Sequence, residues 1–127
     1  MKRILVCDDD HEIVQAICVY LTDAGFEIVR AYSGKEALQC VLDPDQQIDL
    51  IIMDVMMPVR DGHEATRAIR AMDRPDAKTI PIFAMTANAF TEDRRKALES
   101  GMNEHLSKPI DPDALYRLLV KYLTERS

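Results

Sequence analysis

The chain has 127 residues, enough for one domain with a hydrophobic core, and its 47% apolar and 30% charged residues exclude a disordered chain. A net charge of −6 with no block of Lys or Arg argues against direct binding to nucleic acid, and no apolar stretch approaches a membrane span in length. The basic start, Met1-Lys2-Arg3, runs into a strand-like ILVC and not a signal peptide; Cys7, Cys18 and Cys40 are odd in number and lack metal-ligand spacing, so a reduced, cytoplasmic protein is expected.

Apolar runs and helical patterns alternate along the chain. Residues 3–7 (RILVC) predict a strand, after which Asp10 caps a helix with Ile13, Val14, Ile17, Cys18 and Leu21 on its apolar face, closed by Gly25. Cys18 lies on that face, so core packing is its expected role. Residues 26–31 (FEIVRA) predict a second strand. Ser33 and Glu36 have the spacing of a capping box for a helix that buries Ala37, Leu38, Val41 and Leu42 and stops before Pro44. A third strand is predicted over 48–53 (IDLIIM), followed by the loop DVMMPVRDG and a helix bearing Ala65, Ala68, Ile69 and Met72. Residues 80–85 (IPIFAM) predict a fourth strand, and a helix starting near Thr91 ends at Gly101. Residues 103–107 (NEHLS) predict a fifth strand. Asp111 and Pro112 then open a last helix on Leu115, Leu118, Leu119 and Tyr122. Five strands that each precede a helix, with mostly continuous apolar runs, imply a parallel sheet covered on both faces. Residues 1–127 are expected to form a single domain, with no helix-turn-helix or other output unit.

In an open α/β sheet, sites form beyond the carboxyl ends of the strands. The first predicted strand ends in Asp8, Asp9 and Asp10, the third in Asp54, the fourth in Thr86 and the fifth in Lys108-Pro109. A dinucleotide site needs glycines after the first strand, and CDDDHE has none and the wrong charge. Gly34-Lys35 is not a P-loop, because Val29 stands where its first glycine belongs and Glu36 where Ser or Thr is needed. Converging carboxylates at Asp8, Asp9 and Asp54 call instead for a hard cation, and oxygen-only ligands suit Mg²⁺. Lys108 and Thr86 suit phosphoryl oxygens, and Asp54 is then a candidate nucleophile that forms an acyl phosphate. Each residue also has an ordinary reading: Asp8, Asp9 and Asp10 as acids at a helix N-terminus, Thr86 as a loop hydroxyl, Lys108 as a surface charge. A cap needs one acid, however, and the constellation at the strand ends carries the argument.

The motifs ILVCDDD, DLIIMDVMMPVRDG, AMTANAF and LSKPI, in this order and spacing, make the chain resemble the receiver domains of two-component response regulators over essentially its whole length. The phrasing of the later motifs looks most like receivers attached to hybrid sensor histidine kinases. The resemblance implies a flavodoxin-like doubly wound (βα)5 fold with strand order 2-1-3-4-5. It also implies that Asp54 is the phosphoryl acceptor, with Asp9 a direct Mg²⁺ ligand (Mn²⁺ an alternative ion), Asp8 acting through water and Met56 offering its backbone carbonyl. Thr86 matches the family's switch hydroxyl, Lys108 its phosphoryl-pairing lysine, and Lys108-Pro109 a bond that is cis in the family. Pro58 and Gly62 match the turn that shapes the acceptor loop, and Met56 and Asn88 the positions that affect phosphoryl lifetime. His105 departs from the Tyr or Phe usual at the switch position, so switching there would depend on pH, or His105 is simply a half-buried strand residue. The implied partner is a sensor histidine kinase or a histidine phosphotransfer protein. The surface formed by the fourth helix, fifth strand and fifth helix would switch and is a candidate homodimer face.

Two other readings compete. An aspartyl-nucleophile phosphatase of the dehalogenase type needs a second Asp where Met56 stands. A receiver-like fold that never takes phosphate usually lacks some of the acids or the lysine, and here all are present.

Overall fold

The computed structural model describes residues 2–43, 45–55, 62–72, 79–86, 95, 98–108 and 110–126. Among them, strands β1 (Arg3–Cys7), β2 (Glu27–Ala31), β3 (Leu50–Asp54), β4 (Ile82–Thr86) and β5 (Glu104–Ser107) form one sheet in the order β2-β1-β3-β4-β5, every pairing parallel. The helices are α1 (His11–Asp23), α2 (Gly34–Leu42), α3 (Gly62–Arg70) and α4 (Pro112–Arg126), the last being the expected fifth helix. Of the helix expected between β4 and Gly101, Arg95 and residues 98–100 are helical, and the rest lies outside the described residues. Among the described residues no helix is long and apolar enough to cross a membrane.

Side chains alternate across each strand, and both faces of the sheet are covered. Leu5, Cys7, Ile51, Met53, Ile82 and Ala84 pack against Ala37 and Val41 of α2 and Ala65 and Ile69 of α3. Ile4, Val6, Leu50, Ile52, Phe83 and Met85 face Val14 and Leu21 of α1 and Leu115 and Leu119 of α4. Burying each of the larger aliphatic side chains contributes on the order of 1.5–3 kcal/mol, which fixes the central strands and hence the positions of their ends.

Local signals behave as the sequence predicts. The Asp10 carboxylate accepts from the amides of Glu12 (3.0 Å) and Ile13 (3.4 Å), and Gly25 leaves α1 with φ of +97°. Ser33 Oγ accepts from the Glu36 amide at 3.1 Å. Asp111 accepts from the Asp113 amide at 3.0 Å, which starts α4. Three expectations need correction. Leu42 is not buried but 56% exposed, because Ala37 and Val41 take the inward stripe of α2 and Leu42 is its outward last residue. The third strand runs over Leu50–Asp54 and not 48–53, and the fourth over Ile82–Thr86 and not 80–85, which makes Asp54 and Thr86 the last residues of their strands.

Candidate metal and phosphoryl site

Strand register decides which side chains meet. Cys7 pairs with Met53, so Asp8 and Asp54 leave the adjacent strands β1 and β3 at the same level. Asp54 pairs with Met85 and Thr86 with Ser107, which sets Thr86 and then Lys108 around the same end of the sheet. The loop ends are tied down by backbone bonds, Asp8 N to Ala31 O at 3.2 Å and Lys108 N to Thr86 O at 2.8 Å.

Asp8 is fully buried and Asp54 is 3% exposed. Two such carboxylates are costly to desolvate unless a cation faces them. The Lys108 ammonium does so, 2.9 Å from Asp8 Oδ2 and 3.2 Å from Asp54 Oδ1. Burial disfavours its charged form, but the hydrogen bond to Asp8 and the negative charges of Asp54 and Asp8 outweigh it and hold the Lys108 pKa above that of an ordinary lysine. Asp8 Oδ1 also accepts from the Asp10 amide at 3.0 Å.

One ammonium does not neutralise this site. A carboxylate oxygen from each of Asp8, Asp9 and Asp54 lies within 4.8 Å of the others, with Asp9 facing solvent. Three converging carboxylates and one lysine leave an excess of negative charge, and hard oxygen donors with one open side fit a divalent cation that keeps some of its waters. Thr86, 3% exposed, has a hydroxyl with no hydrogen-bond partner among the described residues. A buried hydroxyl left this way is a donor in reserve for an incoming oxygen.

The residues expected at the strand ends, Asp8, Asp9, Asp54 and Lys108, are therefore together, and Thr86 ends the neighbouring strand. His105 pairs with Ala84 and so shares the Thr86 side of the sheet, where it is half-buried. Met56, Pro58, Asn88 and the Pro109 bond lie outside the described residues. The end of β2, passed over in the sequence, also borders the site: Cys7 Sγ lies 3.3 Å from Ser33 O, and the His11 ring stacks on Tyr32. Applying the strand-end rule to Ala31-Tyr32-Ser33 would have found it. Burial, with Asp8, Asp54, Glu36 and Cys40 nearby, pushes the Cys7 thiol far above its usual range, so Cys7 is an inert core residue.

Comparison with known families is decisive at this point: the family model for the response regulator receiver domain matches residues 4–120. The chain belongs to that family. It is a receiver of two-component signal transduction. Hybrid signal transduction histidine kinase I of Dictyostelium discoideum is 37% identical over 131 residues, which cover 98% of this receiver and 8% of the kinase; the chain thus spans a small part of that relative. The receiver domain of the sensor histidine kinase PA1611 from Pseudomonas aeruginosa, solved with a magnesium ion in its active-site cleft, is 34% identical with a TM-score of 0.86, over 97% of this chain and 98% of that one. The Saccharomyces cerevisiae receiver of Ssk1, in complex with the histidine phosphotransfer protein Ypd1, gives a TM-score of 0.89 at 27% identity, over 98% of this chain and 90% of that one. The resemblance read from the four motifs and the strand order it implied are both borne out.

Proposed function

We propose that residues 1–127 act as one cytoplasmic phosphoacceptor unit in which Asp54 takes a phosphoryl group from a phosphohistidine while Mg²⁺ is held by Asp8, Asp9, Asp54 and the Met56 carbonyl, with Mn²⁺ able to replace it. The observation that carries this reading is the Lys108 ammonium bridging buried Asp8 and Asp54 at 2.9 and 3.2 Å beside the exposed Asp9. Magnesium in the cleft of the PA1611 receiver supports the ion, and the Ypd1 complex of the Ssk1 receiver supports a phosphohistidine-bearing partner.

An Asp54 carboxylate oxygen attacks phosphorus in line with the donor nitrogen. The P–N bond breaks, its electron pair returns to the imidazole, which is reprotonated, and an acyl phosphate forms on Asp54. Mg²⁺ supplies charge neutralisation on the transferring oxygens. Lys108 exchanges its hold on the Asp54 carboxylate for a phosphoryl oxygen, and the Thr86 hydroxyl donates to another. Movement of Thr86 is passed to His105 on the same side of the sheet and alters the surface of the segment before β5, β5 and α4, which docks the output partner or a second copy. The module catalyses only its own phosphorylation and dephosphorylation. An apolar groove of about 530 Å³ between α1 and α4, lined by Ile13, Ala16, Tyr20 and Leu115, adjoins Lys108 and gives a protein donor a foothold beside the acceptor.

The test is intact mass after incubation with Mg²⁺ and a small-molecule phosphodonor. The wild type gains one phosphoryl group and Asp54→Asn gains none; equal labelling of the variant would sink the assignment.

A further inference from the structure

Asp9 is the exposed member of the acidic cluster, and its position is the least explained by its own contacts. Lys108 holds Asp8 and Asp54, and the Asp10 carboxylate is committed to the amides of Glu12 and Ile13. Among the described residues, no hydrogen bond or ion pair fixes the Asp9 carboxylate, although it is held within 4.8 Å of two like charges that repel it. Its main chain must therefore be set from both sides. On one side, Asp8 is anchored through its amide to Ala31 O and through Oδ1 to the Asp10 amide. On the other, the first residue of α1, His11, lies flat on Tyr32, with ring centroids 4.0 Å apart and planes 10° from parallel. Tyr32 itself is half-buried against the α1 side of the core, so it offers a fixed platform at the end of β2.

We propose that the His11–Tyr32 stack is a positioning device for the cation site: it clamps the start of α1 to the end of β2 and so holds Asp9 where it binds the ion. The stack touches neither the ion nor the phosphoryl group, and it acts through the two-residue tether from His11 to Asp9. This rests on the proposed metal site. Contact between aromatic rings is worth enough to change occupancy of the tethered conformation severalfold. Removing the stack lets Asp9 relax away from Asp8 and Asp54, and ion binding then has to restore its position.

Mg²⁺ titration followed by backbone amide NMR shifts, with the thermal midpoint recorded for each protein, tests the idea. His11→Ala and Tyr32→Ala each weaken Mg²⁺ binding about threefold to tenfold, the double variant is no weaker than the worse single, and His11→Phe, which keeps a stacking ring, binds within about twofold of wild type. A His11→Ala protein that binds Mg²⁺ as tightly as wild type overturns the proposal. So does a His11→Phe protein as weak as His11→Ala, and so do additive losses in the double variant. If His11→Ala fails to fold, His11→Phe against Tyr32→Ala decides the same question. A wild type that shows no Mg²⁺ binding overturns the metal reading itself, a result distinct from equal binding by wild type and variant.

Discussion

Two polar joints at opposite ends of the sheet treat charge in opposite ways. At the amino end, Arg70 of α3 donates from Nε (3.0 Å) and Nη2 (2.8 Å) to Gly101 O and from Nη2 to Asn103 Oδ1 (3.0 Å), while Asn103 Oδ1 also accepts from the Ile82 amide at 2.8 Å. That joint gathers its acceptors around one half-buried cation, and it ties α3 to the starts of β4 and β5. It is also closely fitted, since a side chain at Gly101 (φ +105°) would meet Arg70 Cγ at 3.0 Å. At the carboxyl end, two buried carboxylates share one ammonium, a third stands beside them, and the Thr86 hydroxyl lacks a partner among the described residues. A satisfied polar joint stabilises, whereas an unbalanced one stays ready for a ligand.

Breaking the two joints separates these roles. Lys108→Met leaves Asp8 and Asp54 buried without their cation and lowers unfolding free energy by on the order of 3 kcal/mol, read by urea denaturation; Mg²⁺ restores part of the loss, and phosphoryl acceptance falls steeply. Arg70→Ala costs about 1–3 kcal/mol in the same assay, but Mg²⁺ does not compensate for it, and the mass gain from the phosphodonor persists. Adding Mg²⁺ at ten times its Kd stabilises the wild type by about 1.4 kcal/mol in thermal melts, an effect lost on chelation. Asp54→Asn has the smallest effect on folding: removing one of two carboxylates that compete for Lys108 leaves the apo protein as stable as wild type or slightly more so, while the Mg²⁺-dependent rise in thermal midpoint shrinks. Large Mg²⁺ compensation of Arg70→Ala, or none of Lys108→Met, would erase the contrast between the two ends.

Much of this contrast was legible in the sequence. Continuous apolar runs located the central strands because those strands are buried on both faces, and Asp10, Ser33 and Asp111 marked helix starts through chemistry local to each residue. Asp8, Asp9, Asp54, Thr86 and Lys108 could be grouped because parallel topology brings all strand ends to one edge. The boundary of β3 was read too early because Ile48 is buried without joining the ladder, while the side chain of Asp49 accepts from the Arg3 amide at 2.8 Å. Burial and strand pairing are different signals there. Arg70 with Asn103, and His11 with Tyr32, were missed for another reason: each pair is far apart in sequence and made of polar or amphipathic residues that read as solvated surface until the fold brings them together.

The central claim is that Asp54 itself carries the phosphoryl group, and borohydride reduction tests it most directly. Aspartyl phosphate is reduced to homoserine, so protein treated with phosphodonor and Mg²⁺, then borohydride, and mapped by peptide mass spectrometry should show homoserine at position 54 alone, and none when Mg²⁺ is chelated. Homoserine at another aspartate, or equal conversion without Mg²⁺, would contradict the account.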